Sequence, residues 1–155
     1  MSNDEKGGFM GLEAFNTGCN IVAILKNGKK YGMCCSWAMM VDYEKVMLHL
    51  GAQSITGNIL KVNDIVGVSA LANGQKDIAF VLGEGHSDKV DKFQNVTFHL
   101  DETAILIDGA RVTMKCRVQD ILHLQGIEKD NCLVLDVISF KQNKNLDFLD
   151  GSKVW

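Results

Sequence analysis

The chain has 155 residues, of which 15 are glycine and none proline; 46% are hydrophobic and 23% charged. Those proportions are those of an ordinary globular chain rather than a disordered one, and the length suits a single domain over 11–155 behind a loose arm at 1–10, since a second core needs roughly 100 residues more. A net charge of −3, from 16 Lys+Arg against 19 Asp+Glu, leaves no general excess of cations with which to displace counterions from nucleic acid.

In chain order, Met1 to Gly8 is polar and glycine-bearing. Ile21-Val22-Ala23-Ile24-Leu25 is a short β-branched apolar run, and Asn27-Gly28 follows it. Asn-Gly between apolar segments predicts a tight hairpin, with a second strand from about Lys30 to Ser36. Lys45 to Leu50 alternates as a third strand, and Ser54 to Val62 reads as a short helix with Ile55, Ile59, Leu60 and Val62 on one stripe. Ile65 to Leu71 is another buried strand. Asn73 reads as the N-cap of a helix through Leu82, packing through Ile78, Ala79, Val81 and Leu82. A polar loop over 83–92 leads to strands at Ala104–Ile107, Arg111–Leu124 and Cys132–Phe140, the last two forming a long hairpin. Strands without regular helical crossovers predict a mainly β fold, an antiparallel barrel with short helices covering its ends.

Five cysteines (Cys19, Cys34, Cys35, Cys116, Cys132) are an odd number with no C-x-x-C spacing, and the four histidines form no ligand pair. Neither a disulfide framework nor a metal site is expected. No apolar run approaches the ~18 residues of a membrane span, and the polar start is unlike a signal peptide, so the expected location is the cytoplasm.

Nucleophile and nucleotide-loop motifs are missing, and the carboxylates sit in turns beside lysines, where solvated faces explain them. Three segments carry more chemistry. Met33-Cys34-Cys35-Ser36-Trp37 ends a strand with thiols, a hydroxyl and an indole. It can line a flat heteroaromatic ring, or simply be core. Gln53, Ser54 and Thr56 open the short helix, as caps or as an anion site. The third, His86 to Phe93, offers Lys89 and Lys92 as countercharges to a phosphate or as part of a solvated turn.

Together these segments resemble the flavin reductase-like family, whose fold is the FMN-binding split barrel, an antiparallel Greek-key β-barrel. Met33-Cys34-Cys35-Ser36-Trp37 is similar to the family's Met-Thr-x-Ser-Trp, Gln53 and Thr56 to its Gln-x-x-Thr, and Asp91-Lys92-Phe93 to its Asp-Lys-Phe. Ile107-Asp108-Gly109-Ala110 and Met114-Lys115-Cys116-Arg117-Val118 resemble a strand pair further on, so that the likeness runs from Phe15 to Phe140. The resemblance implies a ring site along Met33, Cys34, Cys35, Ser36 and Trp37. It implies a phosphate site at Gln53, Ser54 and Thr56, with Lys92 as countercharge. FMN is the implied cofactor, with FAD its alternative and NADH or NADPH the co-substrate.

No catalytic side chain is required, because the flavin carries the chemistry. A homodimer is implied, to which the apolar tail (Leu146, Phe148, Leu149, Val154, Trp155) either contributes or merely docks. Three departures stand out, one of them Ser54, which stands between Gln53 and Thr56 where the family has arginine. Asn131 follows Asp130 where the family's Gly-Asp-His has histidine near the nicotinamide, and Cys34 replaces threonine. The expected function is an NAD(P)H-dependent flavin reductase passing electrons to a flavin, small molecule or protein. A flavoredoxin-like electron carrier with a protein donor is the alternative, and a non-redox split barrel holding haem a third. Val41 to Lys45 stands where relatives carry proline, which predicts a less constrained connection there.

Overall fold

The hairpin expected at Asn27-Gly28 organises the sheet. In the computed structural model, which describes residues 11–84 and 91–155, both turn residues take positive φ, 54° and 76°. That is the twist a two-residue turn needs between right-twisted strands. It joins β1 (Asn20–Lys26) to β2 (Lys29–Cys35) in register from Lys26↔Lys29 to Asn20↔Cys35. The arm expected over 1–10, and residues 85–90 of the polar loop, lie outside the described residues.

The remaining elements are β3 (Ala38–Asp42), β4 (Lys45–Leu50), α1 (Ile55–Ile59), β5 (Ile65–Ala70) and α2 (Lys76–Gly83), followed by β6 (Phe98–Asp101), β7 (Ala104–Ile107), β8 (Val112–Leu122) and β9 (Asn131–Gln142). They form a nine-stranded sheet in the order β3-β4-β9-β8-β5-β1-β7-β6, with β2 on the remaining edge of β1. Every pairing is antiparallel. The strand path is open, so the barrel is split rather than closed. β3 and β6 are additional to the strands expected from the sequence.

β1 explains the architecture. Its free edge is shared: Asn20 to Ala23 pair with β5, and Ile24 pairs with Ala104 of β7. Both faces are covered. Val22 and Ile24 join Val66, Val68, Cys116, Leu133 and Leu135 in one core, while Ile21 and Ala23 join Ile105, Ile107, Ala79 and Leu82 in another. An unbroken apolar run, rather than an alternating one, is what a strand buried on both sides requires. β7 crosses close over β5 at Gly67, where an added Cβ would lie 2.0 Å from the carbonyl oxygen of Ile105.

The two helices are shorter than their sequence patterns. α1 stops before Leu60, because Asp64 Oδ2 accepts the Lys61 N–H at 2.9 Å and Asn63 turns to φ 77°. Val62 is exposed rather than on a packed stripe. α2 is not capped by Asn73. That residue donates its N–H to the carbonyl of Asp147, Gly74 turns at φ 100°, and the N-cap falls on Gln75 without a side-chain bond. Ala79 and Leu82 are buried, Ile78 packs against them, and Val81 faces outward. The long β8–β9 hairpin is as expected, with register shifts after Lys115 and Val118.

The C-terminal tail docks on its own chain. Leu149 N–H bonds the carbonyl of Leu71 and Gly151 N–H that of Thr17, and Leu149 and Val154 are buried. Trp155 meets the Phe80 ring edge-on, with centroids 5.4 Å apart. Among the described residues, no helix is long and apolar enough to cross a membrane.

Candidate functional site

Alternation along β2 divides the first motif between two faces. Met33 and Cys35 pack toward the core shared with β4, β5, β8 and β9, whereas Cys34 packs on the opposite side, against the core that holds α2. Burial pushes the Cys34 thiol up to about 12, with Cys19 beside it adding to the shift, and burial pushes Cys35 up to about 11. Both stay protonated at neutral pH, so neither is an activated nucleophile. Cys35 Sγ instead lies 3.4 Å from the carbonyl oxygen of Trp37 and 3.7 Å from that of His49. Ser36 is half-buried, and the Trp37 side of the strand end opens to solvent, at 66% exposure.

The second segment meets the first directly. Ser54 is the N-cap of α1, its Oγ accepting the Gly57 N–H at 2.9 Å. The same hydroxyl donates to Met33 Sδ at 2.8 Å, which joins the start of α1 to β2. Gln53 is exposed and its side chain folds over Gly51. Thr56 is only 2% exposed. Thr56 and Gly57 are both buried, and an added Cβ at Gly57 would lie 3.1 Å from Leu50, so this turn of α1 packs inward.

Lys92, expected as a countercharge, is held by main-chain carbonyls. It is buried, and its ammonium donates to the carbonyls of Leu82 at 3.0 Å and Gly32 at 3.1 Å. Leu82 is in the last turn of α2, where carbonyls lack helical partners and a cation is favoured. Burial lowers the lysine's pKa. Phe93 covers Gly32, where a Cβ would sit 2.5 Å from the ring. Asp91-Lys92-Phe93 is thus a structural tie between α2 and β2. The later motif is also structural at its turn: Gly109 has φ 80°, and Ile107 N–H bonds Ser69 Oγ at 3.0 Å.

A polar group that the sequence did not suggest stands at the same end of the molecule. His49 Nε2 lies 3.0 Å from Asp130 Oδ2, and Asp130 Oδ1 accepts the Ala52 N–H at 2.8 Å. The His49 bond, then the Ala52 bond, hold the Asp130 carboxyl below the usual carboxylate range. The His49 ring lies 6.0 Å from that of Trp37, their planes 48° apart, and the Trp37 carbonyl accepts the His49 N–H at 2.9 Å. Asn131 is buried and donates to Asn58 Oδ1 at 2.9 Å, while Asn58 donates to the Ala52 carbonyl at 2.8 Å. This ties α1 to the start of β9. Trp37, Asp130 and Asn131 were each singled out by the sequence, but as parts of separate motifs, and nothing pointed to His49.

The residues suit a flavin better at its ring than at its phosphate. Trp37 supplies an exposed aromatic surface, and Ser36 and His49 supply hydrogen-bonding groups beside it. At α1 the Ser54 hydroxyl is engaged and Thr56 is buried as a residue, which leaves Gln53 as the exposed side chain at the start of the helix. Among the described residues, no three His, Cys, Asp or Glu side chains gather as a metal ligand set.

A family model described as "Flavin reductase like domain" matches residues 12–151. A search among curated proteins finds no match. Among solved structures, the chain is similar to the NADH:FAD oxidoreductase SgcE6 of Streptomyces globisporus, with a TM-score of 0.78 and 23% identity over 86% of this chain and 80% of that one. It is similar also to a flavoredoxin from Methanosarcina acetivorans (TM-score 0.74, 18% identity, 86% of this chain and 72% of that). An FMN-binding protein from Thermus thermophilus aligns with a TM-score of 0.76 and 17% identity, over 90% of this chain and 79% of that one.

Proposed function

The chain belongs to the flavin reductase-like family, and from that premise we propose that it is a flavin-dependent oxidoreductase that takes FMN, accepts hydride from NADH or NADPH, and passes electrons to a flavin, a small molecule or a protein. The observation that carries the reading is the Ser54–Met33 hydrogen bond of 2.8 Å. It joins the start of α1 to the strand-end motif 21 residues earlier, which supports reading the two segments as one site. Bound flavin supplies the hydride and electron chemistry. The protein's part is to hold and orient the ring along Met33 to Trp37, and the ribityl phosphate near Gln53 and Ser54.

A flavoredoxin-like carrier with a protein donor is the second reading, and one observation favours it. Asn131, standing where relatives have histidine, turns its amide into α1 toward Asn58 and is buried there. It is thereby withdrawn from any nicotinamide. The same experiment separates the two. FMN-loaded protein that bleaches on adding NADH or NADPH is a reductase; protein that bleaches only with dithionite is a carrier. Failure to take up FMN sinks both.

The remaining parts of the proposal are a homodimer and a cytoplasmic location. β3 supports the first: all five of its residues are exposed, Met39 and Met40 at 62% each, and an apolar edge strand is normally covered. The five free cysteines accord with a reducing compartment. Sedimentation at micromolar concentration tests the dimer.

A further inference from the structure

The Trp37–His49–Asp130 group has a definite polarity. An ionised carboxylate only accepts hydrogen bonds, and Asp130 is held in its ionised form by the bonds from His49 and Ala52. The proton on the shared bond must then belong to His49 Nε2. In neutral His49 the other nitrogen, Nδ1, carries a lone pair, and among the described residues it has no hydrogen-bond partner. The centroid of the His49 ring, whose side chain is itself 16% exposed, lies 6.0 Å from that of an indole exposed to 66%. An oriented acceptor next to an open aromatic surface matches a planar heteroaromatic ring that bears an N–H on its edge.

We propose that His49 is a ring-binding residue of the flavin site, accepting a hydrogen bond from the ring edge at Nδ1, and that Asp130 is the positioning residue that fixes its tautomer. This rests on the flavin reading above. Asp130 reaches the ring only through His49, and its second oxygen serves the Ala52 turn. The two jobs are separable by substitution. In Asp130→Asn the amide oxygen can still accept from Ala52, but the amide nitrogen donates toward His49 Nε2. That moves the imidazole proton to Nδ1 and presents a donor where the ring needs an acceptor.

The test is a binding cycle read by flavin fluorescence with FMN and with riboflavin, which shares the ring and lacks the phosphate. His49→Phe keeps the aromatic contact with Trp37 and removes the acceptor; it should weaken both ligands by the same factor, about 3- to 10-fold for one hydrogen bond. Asp130→Asn should weaken binding in the His49 background and have no effect in the His49→Phe background. Imidazole nitrogen NMR of the unliganded proteins should find the proton on Nε2 in the wild type and on Nδ1 in Asp130→Asn. Thermal melting checks that each variant folds, and His49→Gln replaces any His49→Phe protein that does not.

If a folded His49 variant binds both flavins as tightly as the wild type, the inference fails while the flavin reading stands. Equal losses from Asp130→Asn in both backgrounds would make Asp130 a turn residue alone and overturn its positioning role. Wild-type protein that binds neither flavin removes the reading itself, and the inference with it.

Discussion

The ammonium of Lys92 lies 3.0 Å from the carbonyl oxygen of Leu82 and 3.1 Å from that of Gly32, so one buried cation closes the C-terminal end of α2 onto β2. Replacing it with methionine preserves the apolar stem and removes the two hydrogen bonds that the ammonium donates. Lys92→Met should cost about 1–3 kcal/mol in urea unfolding, with no comparable change in FMN affinity. A folded variant with intact stability and lost FMN affinity would restore the lysine to a phosphate role.

Gly67 is the point of closest approach between β5 and β7. A methyl group there meets main chain, 2.0 Å from Ile105 O, and main chain cannot rotate away as a side-chain tip can. Gly67→Ala should lose at least about 3 kcal/mol, the upper end of ordinary overpacking, or fail to accumulate in soluble form. Gly28→Asn, at a turn position with φ 76° and nothing within 4 Å, is the matched control and should fold.

Asp136 holds Lys45 at 2.6 Å and Arg117 at 2.7 Å, bridging β4, β8 and β9. The Lys45 hydrogen bond, with the charges of both cations, lowers its pKa. A carboxylate with a depressed folded pKa contributes stability above its unfolded value, about 3.9, and loses that contribution as pH falls through the folded value. Asp136→Asn should therefore unfold at lower urea than the wild type at pH 7. The gap between them should narrow as the pH is taken below about 4. A gap that is constant with pH would show that the ion pairs contribute nothing.

Cys34 and Cys116 are each pushed up to about 12 by burial, and Cys35 to about 11. At pH 8 they are thiols, not thiolates, and Cys34 is the one cysteine that is not fully buried. A disulfide-exchange reagent should titrate five thiols in denaturant and at most one promptly in the native protein. Rapid reaction of two or more native thiols would contradict this packing.

Local chemistry made much of the fold legible. Asn27-Gly28 specified a turn that only positive-φ residues fill comfortably, and the second strand followed at Lys29–Cys35, one residue from the expected Lys30 to Ser36. Ile21 to Leu25 read correctly as a strand because the run is continuous and three of its five residues, Ile21, Val22 and Ile24, are β-branched. β3 escaped notice because all five of its residues are exposed, so no buried face imprints an alternation on Ala38 to Asp42. Asn73 was misleading for a related reason: Asn-Gly is both a cap signal and a turn signal, and here the turn prevails. Of the candidate site, the contiguous motifs were visible, but the inward turn of Thr56 and the engagement of Lys92 depend on packing from other elements. The His49–Asp130 pair joins β4 to the residue before β9, and no periodicity links two side chains 81 positions apart.

The shared edge of β1 also sets an order of events. The β1–β2 hairpin is local and can form within about 1–10 μs. The other edge must wait for β5 and then β7, whose pairing closes far longer loops and is correspondingly slow. Until they arrive, Ile21 to Ile24 stand bare on both faces. A chain halted after β4 holds the β1–β2 and β3–β4 hairpins with that apolar surface uncovered. In the finished protein, amide exchange along β1 should be slow on both sides, since successive N–H groups bond to opposite neighbours and each neighbour is itself part of the sheet.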